Sequence, residues 1–297
     1  MLLGTLLALC SSSGCTIFGP ARTDNDLVAL RQLTLRGAEA MQRGDAGEAE
    51  RCFTDAIAQH PQDERCHVLL AELRKRQGRL EESTEHLTKA VELSGEDPRL
   101  LVQLGGQYYE LGAYDAAMDC VSRALRRDAS SATAWLLYAR LLLRQEEYPR
   151  AIIAYHRSLQ IDANQPDAAL ELADVYLREG RIERCLSTLD SRACSMGETA
   201  ASGRTDYLRG LAYAQIDRHA DAVASLAEAE RKGVREPELY YQLAISHHQM
   251  GSPASARLAL TEFRRLAPGD RRFHELAQAI EAPKERVASL PNREGGS

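Results

Sequence analysis

The chain is poor in the signatures by which catalysts are commonly recognised. Its 297 residues contain no Walker sequence, no HExxH and no CxxCH. Those absences exclude the phosphate-cradling loop, the zinc-protease helix and the haem attachment site. Long apolar runs are also missing, since the apolar stretch at residues 1–10 falls short of the roughly 20 residues that a bilayer-spanning helix needs. An excess of basic charge is absent too: the net charge is −6, and no nucleic-acid partner is expected. With 44% hydrophobic and 27% charged residues, the composition is that of an ordinary globular protein.

Metal and redox chemistry find little support. Among the eight histidines only His247 and His248 adjoin, and helical neighbours point about 100° apart, so they do not share a metal easily. Setting aside Cys10 and Cys15 of the N-terminal segment, five cysteines remain, Cys52, Cys66, Cys120, Cys185 and Cys194. An odd number argues against a complete disulfide framework, although a bridge between Cys52 and Cys66 stays open. Gly105 and Gly106 fall inside a helical pattern with no strand before them, so they are not a dinucleotide fingerprint.

What the sequence does have is a period of 34 residues, repeated seven times between positions 30 and 270. In the third copy Leu101, Leu104, Gly105 and Tyr108 are followed by Gly112, Tyr114, Ala117, Val121 and Ala124. Apolar residues three and four apart mark one helical face, Gly112 marks a turn, and a second apolar face follows. Two antiparallel helices are the predicted unit. The copies span residues 30–63, 64–97, 98–131, 132–165, 166–202, 203–236 and 237–270. Glu146 and Asp217 stand where the other copies carry the turn glycine. The fifth copy holds three extra residues, which predicts a longer loop around Ser191 to Gly197.

This pattern resembles the tetratricopeptide repeat (TPR) family across residues 30–270. The resemblance implies an all-α fold, a right-handed superhelical solenoid of antiparallel helix pairs. Small residues at positions 8 and 20 of each copy let paired helices approach, and larger ones at 7, 11 and 24 fill the space between neighbours. Residues 271–281, with Phe273, Leu276, Ala277 and Ile280 in one stripe and Asp270 as cap, are predicted to form a capping helix. Residues 282–297 are expected to be disordered.

The family also implies a concave groove lined by positions 2, 5, 9, 12 and 13 of the first helices. Carried onto this chain, the groove takes Arg65, Val68, Glu72, Lys75 and Arg76 from the second copy. The third supplies Arg99, Val102, Gly106, Tyr109 and Glu110, and the fourth Thr133, Leu136, Arg140, Leu143 and Arg144. The fifth supplies Asp167, Leu170, Asp174, Leu177 and Arg178, and later copies add Tyr207, Leu211, Tyr241, Ile245 and His248. Across copies two to five this gives seven basic residues against four acidic ones, which suits an acidic, partly apolar peptide; a solvated face with chance charge is the alternative. The carboxylate clamp of chaperone-binding relatives is not expected, because position 5 holds Thr34, Val68, Val102, Leu136 and Leu170 and no copy has Asn at position 9.

At the N-terminus, the apolar run breaks into Ser12, Ser13, Gly14 and Cys15. This resembles a bacterial lipoprotein processing box, although Ser12 replaces the usual leucine and no Lys or Arg precedes the run. The resemblance implies a signal peptide at residues 1–14 and acylation of Cys15. Residues 15–29 would form a short tether and the start of the first helix, with Asp24, Asn25 or Asp26 as its N-cap. Thr16 after the cysteine implies the outer membrane, facing the periplasm.

The expectation is therefore a non-enzymatic protein-interaction scaffold of the bacterial TPR lipoprotein type, holding a protein or peptide partner in its groove, in pilus, secretion or envelope assembly. No cofactor, metal or small-molecule substrate is expected. The alternatives are a regulatory subunit of a cell-envelope enzyme and an unprocessed cytosolic adaptor.

Overall fold

The computed structural model describes residues 24–191 and 200–281, and among these every regular element is an α-helix. In chain order they are α1 (Asp24–Arg43), α2 (Ala46–Gln59), α3 (Glu64–Arg76), α4 (Leu80–Leu93), α5 (Pro98–Glu110), α6 (Tyr114–Arg127), α7 (Ala132–Arg144) and α8 (Tyr148–Ile161). There follow α9 (Pro166–Arg178), α10 (Ile182–Leu189), α11 (Ala200–Gln215), α12 (His219–Arg231), α13 (Pro237–Gln249), α14 (Pro253–Leu266) and α15 (Arg272–Glu281). Among the described residues no helix is long and apolar enough to cross a membrane. The signal peptide, Cys15, Cys194, most of the expected loop in the fifth copy and the C-terminal tail lie outside the described residues.

Local chemistry sets the helix ends. Asp45 accepts from the Glu48 amide at 2.9 Å, Asp63 from Arg65 at 3.1 Å, Asp97 from Arg99 at 2.7 Å, and Ser131 from Ala134 at 3.2 Å. Each satisfies an amide that the helix leaves without a partner. Pro166, Pro237 and Pro253 stand in the first turns of α9, α13 and α14, where the missing N–H costs nothing. Asp24, Asn25 and Asp26, considered as caps for the first helix, instead lie within its first turn, since α1 already begins at Asp24.

Between the two helices of every copy the chain makes the same closure. The amide of position 16 donates to the carbonyl of position 11: Asp45 to Ala40, Arg79 to Arg74, Ala113 to Tyr108, Glu147 to Leu142, Arg181 to Tyr176, Arg218 to Tyr213 and Ser252 to His247, all within 2.8–3.0 Å. This is the Schellman arrangement, which places the intervening residue in the left-handed region. Five copies use Gly there, while Glu146 and Asp217 adopt φ of 60° and 56°.

The helices form two compact units that divide between Gln107 and Tyr108, within α5. In the first unit α2 packs against α1 and α3, and α3 against α4. Its apolar core gathers Ala40, Ala49, Phe53, Leu70 and Leu73, with Leu30, Ala56 and Cys66 beside it. Two polar groups are built into this interior. Arg74, at a position expected to carry a large core side chain, is 7% exposed and donates to both carboxylate oxygens of Glu50 at 2.7 and 2.8 Å. Gln107 donates to the Ser83 hydroxyl at 2.8 Å, and Ser83 in turn donates to the Ala71 carbonyl at 2.6 Å. Breaking either set would leave a buried group unpaired, which is costly.

In the second unit successive helices from α6 to α15 pack in chain order, and one core runs from Ala139 in α7 to Ile280 in α15. Leu276 and Ile280 of α15 are buried, so this helix covers the last pair. Asp270 caps it by accepting from the Arg272 amide at 2.9 Å. The Arg272 side chain pins it down, donating to Glu238 at 2.7 Å and lying 4.3 Å from the Tyr241 ring centre. Cys52, Cys66, Cys120 and Cys185 are buried thiols outside any disulfide, so Cys52 and Cys66 are not bridged. Burial pushes the Cys120 thiol up to about 11, which leaves little thiolate.

The small positions are fully used. Residues at position 20 of the seven copies, Ala49, Ser83, Ala117, Ala151, Cys185, Ala222 and Ala256, all have 0% exposure. At position 8 of the sixth copy, a Cβ added to Gly210 would lie 2.5 Å from Leu226 Cγ and 3.1 Å from the Leu226 backbone nitrogen. Gly210→Ala is therefore expected to lower stability by about 1–3 kcal/mol. Gly106→Ala, where an added Cβ meets nothing within 4 Å, should be neutral or stabilising by up to about 1 kcal/mol. Urea unfolding of the two variants checks the contrast, and equal effects would refute the close approach.

A pair of histidines is expected to make the first unit sensitive to acid. His67 of α3 and His86 of α4 place their Nδ1 atoms 3.4 Å apart, a distance that holds one shared proton but not two. Burial lowers both pKa values, and the nearby Lys89 charge lowers that of His67 further. Burial also lowers His156 and His247. A group with a depressed folded pKa takes up protons first in the unfolded chain, so its stability contribution is complete above the unfolded value of about 6.5 and declines as pH falls. The urea midpoint should thus drop between neutral pH and about pH 5, and His67→Gln should flatten that dependence. A midpoint independent of pH over this range would contradict the neutral pair.

Candidate binding cleft

The second unit carries a cleft of about 500 Å³ lined by Tyr109, Arg140, Leu143, Arg144, Tyr155, Leu170, Glu171, Asp174, Arg178 and Arg204. Except for Tyr155, these residues come from the first helices of successive copies, namely the end of α5, then α7, α9 and α11. Helix geometry explains the gathering. Arg140, Leu143 and Arg144 lie three and four apart on α7, and Leu170, Asp174 and Arg178 lie four apart on α9, so each set shares one face.

Seven residues carried onto the groove from sequence therefore meet here: Tyr109, Arg140, Leu143, Arg144, Leu170, Asp174 and Arg178. Others do not. Tyr207 is only 6% exposed, and burial pushes its phenol up to about 12. Tyr241 is half-buried with its ring 5.3 Å from Phe263 and beneath Arg272, so it serves the capping helix. Leu136 is half-buried against the core. Arg65, Glu72, Lys75, Arg76, Arg99 and Val102 belong to the first unit, where Arg76 pairs with Glu72 at 2.8 Å and Arg99 with Asp97 at 3.0 Å.

These pairings correct the expected basic excess. Arg140 grips Glu171 with three hydrogen bonds, Nε to both oxygens at 2.9 and 3.0 Å and Nη2 to Oε1 at 2.6 Å. The bonds to Glu171 raise the Arg140 pKa. The fully buried Tyr155 donates its hydroxyl to the same carboxylate at 2.9 Å, and burial, with Glu171 beside it, drives its pKa upward. Arg178 pairs with Asp174 at 2.8 Å. At least four of the seven basic groove residues are thus paired within the chain, two of them with Asp97 and Glu171, which fall outside the inward positions.

Arg144 differs. Its Nη2 donates to the neutral Tyr114 hydroxyl at 2.6 Å, its guanidinium sits 4.9 Å from the Tyr114 ring centre, and Tyr109 meets the same ring edge-on at 5.5 Å. No carboxylate within 4.0 Å pairs with it among the described residues. Arg204 lies between these cases, 3.6 Å from Glu236 and 5.4 Å from the Tyr207 ring.

Three lining residues escaped the sequence reading. Arg204 occupies position 2 of the sixth copy, a groove position, and the register could have supplied it. Glu171 is at position 6, 31 residues after Arg140; that offset joins facing positions of adjacent first helices, with opposite charges as the signal. Tyr155 sits at position 24 and reads as core, which it is, and its hydroxyl bonds Glu171 of the cleft wall.

Tetratricopeptide repeat models match residues 34–98, 103–166 and 207–276, and a second model of that repeat matches residues 142–192. The chain belongs to the tetratricopeptide repeat family. Among curated proteins it is similar to the mouse protein O-mannosyl-transferase TMTC1, 27% identical over 167 residues, which covers 54% of this chain and 17% of that protein. It is also similar to the type IV pilus assembly protein PilF of Pseudomonas aeruginosa, 26% identical over 224 residues, covering 72% of this chain and 85% of PilF. Among solved structures, a TPR protein from Parabacteroides merdae aligns with TM-score 0.61 at 17% identity, covering 85% of this chain and 99% of that one. P. aeruginosa PilF aligns with TM-score 0.56 at 18% identity, covering 86% and 99%. At these identities the structural matches establish the TPR solenoid as the fold.

Within that solenoid the Glu171 network is the polar joint of the cleft. Glu171→Ala would leave the buried Tyr155 hydroxyl and the half-buried Arg140 without an acceptor, and it is expected to cost about 1–3 kcal/mol. Asp174→Ala, which breaks a pair with an exposed Arg178, should cost about 0.5 kcal/mol or less. Thermal unfolding of both variants measures the difference, and equal losses would refute the assignment.

Proposed function

We propose that this TPR protein is a non-catalytic interaction scaffold, held at the bacterial envelope by a lipid on Cys15, that seats a protein or peptide segment in the cleft of α5, α7, α9 and α11. The observation that carries this reading is the cleft itself, where Tyr109, Arg144, Leu143 and Leu170 place aromatic, cationic and aliphatic groups within one opening. Tyr and Arg, with Trp, are enriched at the energetic centres of protein interfaces. Arg140, Glu171 and Tyr155 hold one another, as do Asp174 and Arg178, and no lining side chain has the geometry of a nucleophile beside a base, so recognition is the chemistry the site supports.

The envelope assignment draws on two separate supports, the Ser12-Ser13-Gly14-Cys15 sequence and the similarity to PilF. Together they favour a place in pilus, secretion or envelope assembly, with the chain facing the periplasm from the outer membrane. Photo-crosslinking in cells from p-benzoylphenylalanine at Tyr109, with mass spectrometry of the captured protein and of Cys15, tests this. The expected result is an envelope protein joined to a chain whose mature N-terminus is acylated Cys15. Cytosolic captures on a chain that retains Met1 would overturn the assignment.

A further inference from the structure

The arginines of the cleft are not equivalent, and their differences specify a ligand. Arg140 has its fork closed by Glu171 and Arg178 is held by Asp174, so an incoming acid would have to displace an internal partner at either. Arg204 is drawn toward Glu236 at 3.6 Å. Arg144 alone among these four is fixed by neutral groups, one N–H engaged by the Tyr114 hydroxyl and one face on the Tyr114 ring. A guanidinium has five donors in a planar fork, so the edge turned away from Tyr114 keeps its capacity for a two-point bond with a carboxylate. Stacking has already removed much of the side chain's rotational freedom, which lowers the entropic cost of using it.

We propose that Arg144 is the seat for a carboxylate of the bound polypeptide, and that the cleft selects an extended acidic segment whose neighbouring aliphatic side chain rests on Leu143 and Leu170. Charge complementarity identifies the occupant. Glu171 and Asp174, the acidic lining residues, are both engaged by arginines, so the uncompensated charge in the cleft is positive although the whole chain carries −6. A local positive field in an acidic protein draws an acidic segment to this opening rather than to the rest of the surface. Tyr109, packed edge-on against Tyr114, extends the shelf beside the guanidinium and favours a segment that is apolar next to its acid. This inference rests on the scaffold reading and adds the chemistry of what the scaffold holds.

The test uses the purified full chain and three labelled probes followed by fluorescence anisotropy. One is a short blocked peptide of Glu, Ser and Leu. The second has every Glu replaced by Gln, and the third is the Gln peptide with a free C-terminal carboxylate. The blocked acidic peptide should bind at least about tenfold more tightly than its blocked Gln counterpart, and Arg144→Gln should abolish that preference, whereas Arg76→Gln should not. Preference for the free-carboxylate probe alone, lost in Arg144→Gln, would keep the seat and assign it to a chain terminus. Equal binding of the acidic and Gln peptides, no binding of any probe at millimolar concentration, or a preference that survives Arg144→Gln would each overturn the proposal. The scaffold reading fails separately. Tyr109 crosslinks that persist unchanged in Arg144→Gln retain the scaffold and remove the carboxylate seat, whereas absence of any crosslink in the native chain removes the scaffold.

Discussion

Each repeat depends on one closure, a left-handed residue between its two helices. The chain must end a helix, reverse and begin another within a few residues, and the Schellman closure does this while satisfying carbonyls that the first helix would leave exposed. Seven copies form the hydrogen bond from position 16 to position 11 within a narrow range of distance. The closure survives at Glu146 and Asp217, where the side chain opposes it. The packing of the paired helices therefore imposes the turn, and glycine makes it easier without being required.

The cleft follows from that reversal. Small residues at positions 8 and 20 bring the paired helices close, and the closeness orients the first helices of neighbouring copies so that positions 34 residues apart, or nearly so, face each other. Arg140 and Glu171 are the clearest case, 31 residues apart and joined by three hydrogen bonds. Such pairs hold the walls of the cleft at a fixed spacing. They also remove most of its charge from recognition, and the guanidinium held by an aromatic ring and a hydroxyl is left as the distinctive feature. In the proposed binding mode, rigidity and specificity come from different arginines on the same face.

The fold was legible in the sequence because each copy repeats the same demands, and a missing element in one copy is supplied by the pattern of the others. Glu146 gives no local signal for a turn, yet its place in the period does. The cleft was only partly legible. Inward positions on a first helix can be counted, so Tyr109, Arg140, Arg144 and Asp174 emerge. Whether their charges are available depends on partners in the next copy or at other positions, as with Glu171 and Asp97, and one-dimensional spacing does not rank those contacts. Tyr207 and Tyr241 differ the opposite way, since Tyr207 is drawn into the core of the second unit and Tyr241 lies beneath Arg272 of the cap, and neither lines the cleft. Arg74 is a third kind of exception, a charge buried at a core position and made tolerable by Glu50 opposite it, with Glu82 and Gln77 also within reach.

The most direct test of the claim that packing imposes the turn is the unfolding free energy of Glu146→Gly, measured by urea titration beside the native chain. Relief of a left-handed non-glycine residue is worth about 1–2 kcal/mol, less the roughly 0.5–1 kcal/mol that glycine adds to unfolded-chain freedom. The account predicts a net gain of about 0.5–1 kcal/mol. A loss of stability would mean that Glu146 is not held in the left-handed region, and the common closure of the repeats would fail with it.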